Sequence, residues 1–114
     1  MKNSSHTLYL SLKKKPFDVM VTGEKQEEFR INSDWIRSRL MDKFGNFKKY
    51  DFIKFVNGYG NDKPYFICKY NGFIECYMDV AKRKYSNGLI ITDIGKYDFI
   101  IYCGDIIETG NLNL

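Results

Sequence analysis

The sequence predicts an α+β fold, a small mixed β-barrel of about six strands with two short helices near one end. Three observations carry this expectation. The apolar spacing switches from period two to a helical period and back along the chain. Aromatic residues make up 17 %, with 9 Phe and 9 Tyr against 1 Trp, and such rings pack well on a pleated surface. Gly and Asn-Gly punctuation cuts the apolar runs to strand length. The 114 residues have room for one core, so residues 1–114 are read as a single domain without repeat or linker.

The elements follow in order. Leu8-Tyr9-Leu10-Ser11-Leu12 alternates, with three leucines on one face of a strand near 8–12. Lys13-Lys14-Lys15 leads to Pro16, which suits a first helical turn because its missing N–H would have no partner there. Phe17, Met20 and Val21 form the apolar face of a helix over 16–22, and Gly23 ends it. In a strand over 26–31, Phe29 and Ile31 share one face while Gln26, Glu28 and Arg30 share the other. Ser33 caps a second helix near 34–41, with Asp34 at its positive end. Ile36, Leu40 and Phe44 form its apolar column, and Trp35, Arg39 and Lys43 the adjoining one. A strand over 50–56 closes at Asn57-Gly58-Tyr59-Gly60. Strands at 65–70 and 73–77 flank Asn71-Gly72, a pair that favours a type I′ hairpin or, alternatively, a bulge inside one long strand. Residues 81–88 read as a polar loop carrying Lys82-Arg83-Lys84. Residues 89–92 and 97–107 supply the last strands, with Gly104 as a bulge. Phe52, Phe66, Phe73 and Phe99 are expected in the core.

Composition excludes several classes. With 44 % hydrophobic and 28 % charged residues and only 2 Pro, the chain is neither disordered nor of low complexity. No run approaches the roughly 18 apolar residues of a membrane span. Residues 1–6 carry no apolar signal region, so a cytoplasmic protein without a membrane partner is expected. The three cysteines are an odd number without CxxC spacing, which fits free thiols in a reducing compartment and no structural disulfide. In a hairpin at Asn71-Gly72, Cys68 would face Glu75 and Cys76 would face Ile67. His6 is the single histidine and sits in what reads as a loose terminus. No metal site, no cofactor and no histidine-based triad is therefore expected. The net charge is +4, and residues 1–50 hold eleven basic against six acidic side chains. That excess suits either a polyanionic partner or a merely soluble basic surface.

Lys15-Pro16-Phe17-Asp18 followed by Gly23-Glu24-Lys25-Gln26-Glu27-Glu28-Phe29-Arg30 is a distinctive order. It resembles the ASCH domain family, a branch of the PUA-like β-barrels. The strand Tyr50 to Phe55, the loop Asn57-Gly58-Tyr59-Gly60 and the segment Cys103 to Thr109 resemble those of small phage and bacterial members. The resemblance covers nearly the whole chain. It implies a PUA-like barrel with a cleft beside the helices, RNA or nucleotide-like ligands, and, for a phage-encoded member, the host cytoplasm. Some members are hydrolases, among them an acetylcytidine amidohydrolase, and nuclease activity is attributed to others. Lys25 matches the catalytic lysine of the amidohydrolase motif, while Glu28 stands where that enzyme has a threonine.

These residues supply the candidate site. On a strand, Glu28 and Arg30 point the same way, about 7 Å apart, and Lys25 can swing over them. Arg30 would grip a phosphate or carbonyl, Glu28 would accept from a base N–H or act as a general base, and Lys25 would bind an oxyanion. From the residues alone a plain ion pair between Arg30 and Glu28 is the favoured reading of the triplet, and the resemblance reverses that order. Asn57 offers an amide edge and Tyr59 a stacking ring, although a tight turn also calls for Asn-Gly. Lys15, within Lys13–Lys15, is the electrostatic contribution, whereas Lys82-Arg83-Lys84 reads as a solvated loop. Trp35 is expected to cover the core. The leading function is a module binding nucleic acid, RNA above all, or a modified nucleotide through Lys15, Lys25, Glu28, Arg30, Asn57 and Tyr59. One alternative is a small hydrolase with Lys25 and Glu28 as catalytic residues. Another is a phage-encoded interaction module acting on a host protein.

Overall fold

The computed structural model describes residues 6–75, 83–91 and 97–112. The elements are β1 (Thr7–Leu12), α1 (Lys14–Met20), β2 (Glu27–Arg30), α2 (Asp34–Leu40), β3 (Phe52–Asn57), β4 (Tyr65–Glu75), β5 (Arg83–Lys84), β6 (Ile90–Ile91) and β7 (Phe99–Gly110). Five of them form one sheet in the order β1-β3-β4-β7-β2, parallel between β1 and β3 and antiparallel elsewhere. The sheet curls into a half-barrel, so the expected α+β barrel-like architecture holds. Its two edges, β1 and β2, are tied where Arg30 Nη2 donates to the Ser11 carbonyl at 2.8 Å.

Local rules explain most element ends. Helix α1 opens at Lys14, earlier than expected, because the Lys13 carbonyl already accepts from Phe17 N–H. Pro16 lies within that first turn, where no donor is required. Gly23 takes φ +86°, a conformation open to glycine at no steric cost, and lets the chain reverse after α1. Ser33 caps α2 by accepting from Ile36 N–H at 3.2 Å. Seven-residue helices such as these are marginal alone and depend on their buried faces.

The main core joins Leu8, Leu10 and Leu12 of β1 with Phe17 and Met20 of α1, Ile36 and Leu40 of α2, and Phe55, Phe66, Phe99 and Ile101 of the sheet. Each large core ring contributes about 1.5–3 kcal/mol by leaving water. Two core expectations are corrected. Helix α2 stops at Leu40 because Met41 turns extended, so Phe44 leaves the helical column and is 78 % exposed. Phe52 is half-buried, since the alternation of β3 sends Ile53 and Phe55 inward instead.

A smaller cluster lies on the outer face of the sheet, where Phe29 and Ile100 are covered by Ile91, Tyr97 and Tyr102. Phe29 pairs with Ile100 and Glu28 with Ile101, whose side chain belongs to the main core. The acidic and basic face of β2 is therefore the inward one.

Asn71-Gly72 forms no hairpin. β4 runs on through it, and the register passes from Tyr70 opposite Cys103 to Phe73 opposite Ile101, leaving an extra residue on β4 as a bulge. A second shift takes the register from Cys68 opposite Ile106 to Tyr70 opposite Cys103 and leaves Gly104 in the bulge expected there. The supposed polar loop contains structure, because Arg83 and Lys84 pair with Ile91 and Ile90. Lys82, Cys76, Tyr77 and Thr92 lie outside the described residues. No helix among the described residues is long and apolar enough to cross a membrane.

Candidate functional site

The turn after α1 aims Lys25 back at the sheet. Lys25 N–H donates to the Val19 carbonyl at 3.1 Å, and the side chain enters the interior, leaving the residue 2 % exposed. Its ammonium donates to the Glu27 carbonyl and lies 3.4 Å from Glu28 Oε1 and 3.7 Å from Met20 Sδ. Glu28 is buried too, and its Oε2 accepts from Arg30 Nε at 2.8 Å. One carboxylate thus stands between two cations, and every polar atom of the three that is fully buried has a partner. Such a cluster is tolerable inside a protein because no charge is left alone.

The two cations differ in what they reach. Lys25 lines a cavity of about 230 Å³ shared with Met20, Cys68, Cys103 and Gly104. There the Cys68 and Cys103 thiols are both free and line one wall. Their interaction lowers Cys68, while the same interaction together with burial pushes Cys103 well above the usual thiol range.

Arg30 borders a groove along the seam between β1 and β2. One part, about 710 Å³, is lined by Ser11, Lys13, Lys14, Glu28, Arg30, Asn57 and Tyr59 among others. The next part, about 510 Å³, shares Ser11, Arg30, Gly58 and Tyr59 and adds Tyr9 and Trp35. Arg30 commits Nε to Glu28 and Nη2 to Ser11, and no hydrogen bond among the described residues occupies its Nη1. Tyr59 is 83 % exposed, yet its hydroxyl accepts from Ser11 Oγ at 3.2 Å, which holds the ring beside the groove. Asn57 Nδ2 donates to the Leu12 carbonyl at 3.1 Å and so also ties β3 to β1.

Glu28, Arg30, Asn57 and Tyr59 accordingly come together along one groove, with Lys13 and Lys14 on its rim. Lys25 lies beneath it as the partner of Glu28. Lys15 turns elsewhere: its carbonyl accepts from Asn87 Nδ2 and its ammonium lies beside Gly88. His6, expected to be loose, is held by Asp51, whose N–H donates to the His6 carbonyl at 2.8 Å and whose carboxylate is 3.7 Å from the imidazole.

Trp35 does not cover the core. It is 47 % exposed and walls the groove, with the Arg39 guanidinium 5.0 Å from its ring centroid. The signal was the column it shares with Arg39, one position round the helix from the buried Ile36 and Leu40. Tyr9 was legible in the same way, as the outward residue between Leu8 and Leu10. No protein-family model, curated protein or solved structure matches the chain.

Proposed function

We propose that the groove holds the base and phosphate of single-stranded nucleic acid, RNA above all, or of a modified nucleotide, on a PUA-like domain of the ASCH type. The observation that carries this reading is the placing of Arg30 at the meeting of two cavities, both walled by Tyr59 and one of them also by Tyr9 and Trp35. Every nucleobase offers a face to such rings, and stacking contributes about 1–3 kcal/mol per base. A guanidinium already fixed at two of its nitrogens is preorganised, so little side-chain freedom is lost when its last edge takes an anion. Lys13 and Lys14 on the rim supply the sequence-independent attraction for phosphates. Glu28 fixes the aim of Arg30, and Lys25 in turn holds Glu28. Lys25 is a positioning residue in this reading, because its side chain is 1 % exposed and its ammonium is already taken up by Glu28 and the Glu27 carbonyl.

The test is fluorescence anisotropy of a labelled single-stranded RNA at two salt concentrations. Arg30→Ala should weaken binding about 10- to 100-fold, the size of a charge-assisted hydrogen bond. Tyr59→Ala should weaken it about tenfold without changing stability. Unchanged affinity for both variants, with circular dichroism intact, would place the binding surface elsewhere.

A further inference from the structure

The groove does not end at Trp35. On the far side of that indole lies another cavity of about 350 Å³, lined by Thr7, Leu8, Tyr9, Trp35, Arg39 and Tyr50. Tyr9 and Trp35 wall both this cavity and the 510 Å³ one. We propose that it is a second base subsite, so that the ligand is a strand of at least two successive nucleotides laid across Trp35. The inference rests on the nucleic-acid reading of the groove.

The two compartments repeat one chemistry. Each combines rings with one guanidinium, Arg30 in the first and Arg39 in the second. Arg39 lines the second compartment and not the first, so its contact with the indole lies on the second side. RNA bases stack on guanidinium planes as readily as on aromatic rings. Tyr50 holds this arrangement, its hydroxyl donating to the Arg39 carbonyl. Both volumes lie within the about 300–1,000 Å³ that encloses small ligands. Among the described residues no carboxylate lines either compartment, and Glu28, in the adjoining Lys13–Lys14 part, is paired on both oxygens. An anionic chain therefore meets cations in turn along the path, Lys13 and Lys14 (the latter paired with Asp18), then Arg30, then Arg39. A mononucleotide can fill only one compartment. A dinucleotide can place one base on each side of the shared wall.

The experiment compares adenosine 5′-monophosphate with the 5′-phosphorylated diadenylate by titration calorimetry. The wild type should bind the dinucleotide about tenfold or more tightly than the mononucleotide. Arg39→Ala, an exposed position, should erase that gain. Arg30→Ala should weaken both ligands. If the wild type binds both equally, or if Arg39→Ala keeps the full gain, the second subsite is refuted while the groove reading stands. If neither ligand binds the wild type, both proposals fall.

Discussion

Lys25 and Arg30 flank the same carboxylate and have opposite surroundings. Lys25 is sealed among Met20, Glu27, Glu28 and the thiols of Cys68 and Cys103. Arg30 makes the shorter ion pair, 2.8 Å against 3.4 Å for Lys25, yet opens onto a groove. The difference arises from the sheet order. β2 pairs with β7 on one side, and across the seam it faces β1, where the tie is made by the Arg30 side chain itself. Charge type and spacing are nearly alike on the two sides of Glu28. Access to ligand separates a structural ion from one that can do further work.

The sharpest way to break this comparison is to remove the shared carboxylate. Glu28→Ala should destabilise the fold by about 3–5 kcal/mol, because it leaves two cations near one another without their anion. Urea denaturation measures it, and a loss below about 1 kcal/mol would mean that water already solvates the cluster. The double variant Lys25→Met with Glu28→Met should recover part of that loss, since apolar residues of similar volume replace a desolvated pair.

Separating the two cations comes next. Lys25→Met should cost about 2–4 kcal/mol of stability and shift RNA affinity only a few-fold. Arg30→Ala should do the reverse, with affinity falling about 10- to 100-fold and stability by about 1–2 kcal/mol. Equal ratios of the two effects in both variants would erase the distinction between sealed and open sides.

A smaller effect marks the sealed side through pH. Tyr70 shares a strand face with Cys68, and burial, aided by the neighbouring Tyr50 phenol, pushes its pKa up to about 12. Its folded pKa lies above the unfolded value of about 10, so the unfolded chain releases the proton first. The stabilisation is full below about pH 10 and is lost as pH rises towards 12. Tyr70→Phe should flatten that part of the urea midpoint against pH. A variant that keeps the wild-type slope would assign the alkaline loss to another group.

The smallest effect belongs to the groove rim. Lys14 pairs with Asp18 at 2.8 Å on the surface, with the Lys14 side chain 79 % exposed. Lys14→Ala should change stability by under about 0.5 kcal/mol. In RNA binding it should make the salt slope shallower by about 0.7 if that ammonium contacts a phosphate. An unchanged slope would confine the electrostatics of the groove to its arginines.

Legibility followed the range of the interaction. Ser33, Gly23 and the leucines of β1 behave as their immediate neighbours require. Asn71-Gly72 shows how such a rule is overruled. The dipeptide suits a tight turn, but continued pairing of β4 with β7 through Phe73, Ile74 and Glu75 absorbs it as a bulge. In the candidate site, the shared direction of Glu28 and Arg30 was legible from alternation alone. That Trp35 and Tyr9 wall a groove was not, because this depends on which elements stand beyond them.

By itself, then, the sequence determined the local pieces: a capped helix at Asp34, a reversal at Gly23, an alternating first strand, and a charged triplet around Glu28. Those outcomes depend on backbone conformation and on partners within about four residues, for which residue type is sufficient information. Only the tertiary structure decided that the charged face of β2 turns inward, that Lys25 is sealed, and that Arg30 meets Tyr59 and Trp35 in one groove. Ser11 is bonded to Arg30 across 19 positions and to Tyr59 across 48. Contacts of that range follow from strand order and register, and period-two alternation names two faces without saying which will be covered.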